Sequence, residues 1–168
     1  SYAPVFYEHF TSIMGSKLGL SKATGDDIPL ISELLEMMQT SQIDYTNFFR
    51  SLGNYKSAVG ADNNHLRNQF IDRTAFDAWE ESYRARLLSE SEGDLERKAF
   101  MDSINPKYIL RNYLAQIAIE KAEKDRDFSE VDILLKLLER PFDEQPEMER
   151  YAALPPEGAH KISVSCSS

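Results

Sequence analysis

The sequence of 168 residues has one cysteine and no long apolar segment. Its single cysteine cannot form an internal disulfide framework, so the fold must rest on packing. No apolar run approaches the roughly 18 residues of a membrane-spanning helix, and no secretory leader is recognisable at the start. We therefore expect a cytoplasmic protein with no membrane partner.

Positive charge is also scarce in this sequence. Lys and Arg number 19 against 28 Asp and Glu, which gives a formal net charge of −9. Proteins that bind nucleic acids cluster Lys and Arg along the phosphate path, because neutralising phosphates releases counterions. The composition thus argues against nucleic acid as a partner.

Motifs that hold nucleotides or metals are missing. The seven glycines are scattered, and neither G-x-G-x-x-G nor G-x-x-x-x-G-K occurs. The three histidines, His9, His65 and His160, lie far apart and form no paired zinc motif. We expect this chain to hold no metal and no cofactor, and to contain no catalytic residue of its own.

Several polar clusters could be mistaken for sites. Asp62-Asn63-Asn64 lacks the glycine and the distal Glu of a calcium loop, which favours a polar turn. The adjacent pairs Glu80-Glu81 and Asp143-Glu144 would point about 100° apart on a helix, so they predict solvated faces rather than an acid/base dyad.

Apolar residues recur at helical spacing along most of the chain. In the first segment Phe6, Phe10, Ile13 and Met14 would form one apolar face. The pattern predicts further helices at residues 28–38, 45–52 and 74–88, another after Asn105-Pro106, and one that opens at Ser129 and is stopped by Pro141. Trp79, with its helical neighbours such as Tyr83, is expected in the core.

Capping signals suggest where these helices begin and end. Asp44 would cap the third helix. Asn105-Pro106 is a start signal for a later one, since Asn caps and Pro is tolerated at the first helical position. Arg111 and Asn112 would then lie inside that helix. Arg111 could contact another domain or a phosphate there, or lie along its own helix beside a carboxylate.

The end of the chain has a different character. Prolines interrupt an acidic stretch beyond Pro141, and the final "KISVSCSS" alternates apolar and serine residues as a strand does. The predicted fold is all-α: one irregular multi-helix domain with a proline-rich segment and a short extended tail. Residues 1–140 would form its helical part, and 141–168 the irregular segment with a docked tail.

The sequence resembles the C-terminal region of the YdiU/selenoprotein O family. The segments that carry this likeness run nearly the whole length of the chain and are "KLGL", "DYTNFFRSL", "FIDRTAFDAWEESYRARL", "NPKYILRNYLAQIAIEKAE", "RPFDEQPE", "RYAALPPE" and the terminal "SCSS". The resemblance implies a kinase-like protein adenylyltransferase, which moves AMP from ATP to hydroxyl groups of protein substrates with a metal ion bridging the phosphates.

The resemblance also implies a division of labour. ATP and Mg²⁺ would bind a kinase-like portion that precedes this region, consistent with a sequence that starts without Met. This chain would be an inactive support and regulatory region, with the kinase-like portion and the protein substrates as its partners. Cys166 would take a redox role by pairing with a cysteine in the kinase-like portion. The alternative is an independent helical interaction module with an acidic surface.

Overall fold

A computed structural model describes the backbone of residues 2–156 and the side chains of residues 5–156. Within that range the secondary structure is helical and contains no strand, which confirms the all-α prediction. Tertiary contacts divide the chain into two compact units, Ser1–Asn105 and Pro106–Ser168. The division at residue 140 stays a prediction, and the expected extended tail lies outside the described residues.

The first unit contains six α-helices and a short 3-10 turn. The turn, Gly25–Asp27, runs directly into the second helix. The side chain of Asp44 accepts a hydrogen bond from the Asn47 amide at 2.9 Å, which confirms the predicted cap. The helices are α1 (Tyr2–Lys17), α2 (Ile28–Thr40), α3 (Tyr45–Leu52), α4 (Asn64–Arg67), α5 (Arg73–Leu88) and α6 (Asp94–Ile104).

The core of the first unit is built around the aromatic side chains of α5. Trp79 and Tyr83 are buried, as predicted, and their rings stack with centroids 4.9 Å apart. The Trp79 indole donates to the Leu30 carbonyl at 2.9 Å, and the Tyr83 hydroxyl donates to the Leu18 carbonyl at 2.7 Å. Each buried polar tip thus has a partner, and the two bonds tie α5 to the segments packed on it.

The predicted apolar face of α1 is only partly buried. Phe6 is 61% exposed and Ile13 46% exposed, whereas Met14 and Thr11 are buried. Gly15 of α1 packs so closely on Ala23 that only glycine fits there: a Cβ placed on Gly15 would lie 2.1 Å from the Cβ of Ala23. The face of α1 that carries Gly15 therefore points toward the core, and Phe6 and Ile13 on the same helix remain exposed to solvent.

Helix α6 has no counterpart among the predicted helices. Its inward face carries Arg97, which is only 3% exposed, beside Met101. The Arg97 guanidinium donates to Asp94 at 2.8 Å and to the Tyr55 carbonyl at 2.6 Å. A charged residue at a buried position breaks the apolar periodicity on which the prediction depended.

The described part of the second unit, residues 106–156, contains α7 (Asn112–Asp125), α8 (Ser129–Leu138) and a 3-10 helix, Pro146–Tyr151. Asn105-Pro106 does not start a helix, contrary to the prediction. The amides of Lys107 and Tyr108 instead donate to the Pro141 carbonyl at 2.9 and 3.1 Å. Arg111 consequently lies at the N-cap of α7 and is buried.

Residues 141–156, called the proline segment below, fold back onto α8. The buried Gln145 side chain donates to the Leu137 carbonyl at 3.2 Å and to the Arg140 carbonyl at 2.9 Å. The Tyr108 hydroxyl donates to the Gln145 carbonyl at 3.0 Å. The two bonds from Gln145 add side-chain donors to carbonyls that also accept from the amides of Arg140 and Asp143, and so they fasten the proline segment to the C-terminal end of α8.

Among residues 2–156, the helices fall short of the length and apolarity that crossing a bilayer requires.

Candidate functional site

The structure places the predicted site residues apart from one another. Cys166 and His160 lie outside the described residues, so the redox role of Cys166 stays a prediction. His9 and His65 are exposed on α1 and α4. Across residues 2–156 there is no group of three His, Cys, Asp or Glu side chains that could hold a metal ion. Arg111 is buried, so it does not present its charge on the surface of its unit.

The Asp62-Asn63-Asn64 stretch is a structural turn. The Asn64 amide donates to the Asp62 carboxylate at 2.9 Å, closing the turn. Asn63 is buried, and its side chain accepts from the Lys56 amide at 2.9 Å and donates to the Lys56 carbonyl at 3.0 Å and to Glu80 at 3.2 Å. These bonds fasten the loop between α3 and α4 to α5.

Glu80 is a hub of this polar cluster rather than half of a catalytic pair. It accepts from Tyr55 at 3.2 Å and from Arg84 at 2.8 Å, while Glu81 faces solvent. Burial and the neighbouring Glu80 carboxylate raise the pKa of Tyr55 to about 12, against the smaller opposing effect of Arg84. The Tyr55 hydroxyl therefore stays protonated and acts as a fixed donor.

The first unit contains a concave groove between α2 and α5. Its volume is about 580 Å³, within the range of ordinary ligand pockets. Trp79 and Phe70 contribute to the floor, and both are nearly fully buried. The indole bond to the Leu30 carbonyl holds the Trp79 ring in place.

Small side chains keep the α5 wall of the groove low. Ala75, Ala78 and Ser82 lie three and four residues apart, so they share one face of the helix. Met37 forms part of the opposite wall, and its unbranched thioether can adapt to different neighbours. The groove thus offers apolar surface with little steric obstruction above it.

The rim of the groove is acidic. Glu33 and Glu36 extend from α2, and Asp72 stands at the start of α5. A smaller cavity of about 260 Å³ shares Glu33 with the groove and adds Asp26 and Asp27. Glu33 and Glu36 are exposed, and among the described residues neither forms an ion pair.

Arg86 is the one cationic side chain lining this region among the described residues, and acidic partners neutralise it. Its guanidinium donates to Asp27 at 2.6 Å and to Glu90 at 2.7 Å. The bond to Asp27 is the main cause that raises the pKa of Arg86 above its ordinary value. The unpaired charge that the groove presents to solvent is therefore negative.

Sequence reasoning did not find this groove. Its signals were present, as acidic residues three apart on α2 and small residues on one face of α5. They define a site only once α2 and α5 are known to pack side by side, and that pairing is a tertiary contact.

A comparison with protein families shows to which family the chain belongs. The family model of the protein adenylyltransferase SelO matches residues 1–139. The chain belongs to this family. The resemblance seen in the sequence is thereby confirmed.

Individual relatives agree with the SelO assignment. A protein nucleotidyltransferase YdiU of Thioalkalivibrio sulfidiphilus is 55% identical over 163 residues, which are 97% of this chain and 32% of that protein. The YdiU proteins of Herminiimonas arsenicoxydans and Myxococcus xanthus are 52% and 48% identical, over 99% and 100% of this chain and 33% and 34% of their own lengths. The chain thus spans about a third of the curated relatives it matches.

Proposed function

We propose that this chain is the C-terminal helical region of a SelO-type protein adenylyltransferase, and that it supports and regulates the kinase-like portion of the enzyme. The observation that carries the proposal is the match to the family over residues 1–139, by a chain that spans about a third of its relatives. In the whole enzyme, AMP would pass from ATP to a Ser, Thr or Tyr hydroxyl of a protein substrate, with pyrophosphate leaving.

Two observations support placing the nucleotide outside this chain. The sequence has no glycine-rich phosphate loop, and the groove between α2 and α5 is rimmed by carboxylates that would repel phosphates. ATP and its metal ion are therefore proposed to bind the kinase-like portion alone. The contribution of this chain would be structural and regulatory.

Exposed apolar side chains are consistent with a supporting role. Val5, Phe6 and Tyr7 on α1 are all more than half exposed. In the second unit Phe128 and Leu135, one at the start of α8 and one on it, are 59% and 62% exposed. Such surfaces are typical of regions that pack against other parts of a protein.

The regulatory part of the proposal concerns Cys166. Its thiol would form a disulfide with a cysteine of the kinase-like portion, and a disulfide oxidant such as oxidised glutathione would take up the two electrons and two protons. In the longer protein, Cys166→Ser should abolish the loss of activity under oxidising conditions and leave activity under reducing conditions unchanged. Equal activity of the oxidised wild type and the variant would contradict this role.

The test of the main proposal has two steps. The reading frame upstream of Ser1 should encode a glycine-rich loop with nucleotide and metal residues. The longer polypeptide should then label itself or other proteins from ATP carrying a tagged α-phosphate, whereas this chain alone should not. An upstream stop codon, or labelling by this chain alone, would overturn the proposed division of roles.

A second candidate is an independent helical module that binds a basic protein. The acidic groove between α2 and α5 is the observation that favours it. The reading frame upstream separates the two candidates, since the module requires no nucleotide site there.

A further inference from the structure

We propose that the groove between α2 and α5 is a docking site for a basic segment of another protein, in which lysines and arginines flank one or two apolar side chains. The proposal goes beyond AMP transfer, because the groove is complete within residues 26–86 and needs no nucleotide.

The apolar part of the segment follows from the size and floor of the groove. A volume of about 580 Å³ accommodates one or two large side chains of a peptide rather than a folded domain. The floor is rigid where Trp79 and Phe70 are buried, and adaptable at Met37. The low wall at Ala75 and Ala78 lets a peptide backbone come close to α5.

The basic part follows from the charges. Five carboxylates line the groove and the cavity that continues it, against one guanidinium that is already paired with Asp27 and Glu90. Glu33 and Glu36 stand on the solvent-exposed rim, where a lysine or arginine could reach them without being buried. The net charge of −9 adds a general attraction for a cationic segment.

The probe is a short fluorescein-labelled peptide in which two leucines, one helical turn apart, are flanked by lysines and arginines. Fluorescence anisotropy should show saturable binding to this chain that weakens as salt is added. A peptide with glutamine in place of the cations and one with serine in place of the leucines should both bind less tightly. Binding of the glutamine peptide equal to that of the basic peptide would overturn the charge argument.

Two sets of variants locate the binding. Glu33→Gln combined with Glu36→Gln should weaken binding about fivefold to tenfold, because it removes both exposed rim charges. Its matched control, Glu123→Gln with Glu139→Gln, changes the net charge equally on α7 and at the end of α8, and should leave affinity unchanged. Equal losses in the two double variants would show non-specific attraction and overturn the site.

A steric variant tests the groove independently of its rim. Ala78→Lys places a cation and a long side chain in the groove at an exposed helical position, and should weaken binding at least as much as the double rim variant. Glu81→Gln is the control, with the same change of one charge on α5 outside the groove. Circular dichroism checks that both variants remain folded.

The remaining outcome concerns the source of the segment. If this chain binds the peptide but the longer family protein that contains it does not, a basic segment of the same polypeptide occupies the groove, and docking of another protein is overturned. AMP transfer by the longer protein is measured in a separate assay. A failure of the docking proposal can therefore be distinguished from a failure of the proposed function.

Discussion

The two units of this protein share a helical architecture but are held together differently. Among the described residues, the first unit buries eighteen apolar and aromatic residues in one cluster, and the second buries six. In the second unit, both large buried side chains are tyrosines whose hydroxyls reach Gln145 or Glu130. Apolar burial dominates the first unit, while in the second a small core depends on hydrogen bonds that fix the proline segment.

The largest loss of stability is expected from a substitution in the aromatic core of the first unit. Trp79→Ala should lower the free energy of unfolding by about 3–5 kcal/mol, because it leaves a cavity and removes the bond to the Leu30 carbonyl. Urea unfolding followed by circular dichroism measures the loss. Trp79→Phe keeps most of the ring volume, so it should cost less and remain measurable if the alanine variant does not fold.

The matched control for Trp79 is an exposed aromatic residue of the second unit. Phe128 is 59% exposed, and Phe128→Ala should change the free energy of unfolding by less than about 1 kcal/mol. Similar losses at the two positions would break the comparison, since they would mean that burial does not distinguish these residues.

The second prediction tests the polar fastening of the second unit. Gln145→Ala should cost about 1–3 kcal/mol, because the buried Gln145 side chain loses its packing and its two hydrogen bonds, to the carbonyls of Leu137 and Arg140. The effect should be local: amide hydrogen exchange should speed up in α8 and the proline segment and stay unchanged in α5. Limited proteolysis should cut first within residues 141–156.

The control for Gln145 is a glutamine on the surface of the same unit. Gln116 donates to Glu120 at 2.9 Å in an exposed bond, so Gln116→Ala should stay within about 0.5 kcal/mol of the wild type. If Gln145→Ala behaves like Gln116→Ala, apolar contacts hold the proline segment and the contrast between the units disappears.

The difference between apolar and hydrogen-bonded burial also explains which helices could be predicted from sequence. Apolar spacing located α2, α3 and α8, because their buried faces carry only apolar side chains. It missed α6, where Arg97 occupies the inward face and finds its partners in Asp94 and the Tyr55 carbonyl. Charged residues can take core positions when hydrogen bonds compensate burial, and no local pattern predicts a distant partner such as the Tyr55 carbonyl.

Long-range hydrogen bonds also overrode a local capping signal. Asn105-Pro106 would begin a helix in isolation, but the next two amides bond to the Pro141 carbonyl, more than thirty residues away in sequence. The groove has the same origin, since Glu33 and Ala78 meet only after α2 packs on α5. Apolar periodicity therefore predicted most of the helices. The irregular connections and the candidate site could not be predicted, because they depend on contacts between residues far apart in sequence.

The smallest expected effect is a pH dependence in the second unit, centred on Glu130. Burial alone would raise the pKa of this carboxyl, but hydrogen bonds from Lys121 and Tyr151 and the nearby Arg150 charge outweigh burial and hold the pKa below its ordinary value of 4.5. The ionised form is therefore stabilised in the folded state. Its contribution is present above the unfolded pKa and is lost as the pH falls through the folded pKa.

Glu130→Gln should remove this contribution at neutral pH, where we expect a loss of about 0.5–1 kcal/mol. The difference from the wild type should be constant from pH 7 to about pH 5 and then shrink in more acidic solution, because protonation makes the wild type resemble the variant. Amide hydrogen exchange in α8 measures it locally, and Glu123→Gln on the exposed face of α7 is the control. A difference that grows as the pH falls would show that burial outweighs the polar contacts at Glu130, so that its buried charge costs the second unit stability.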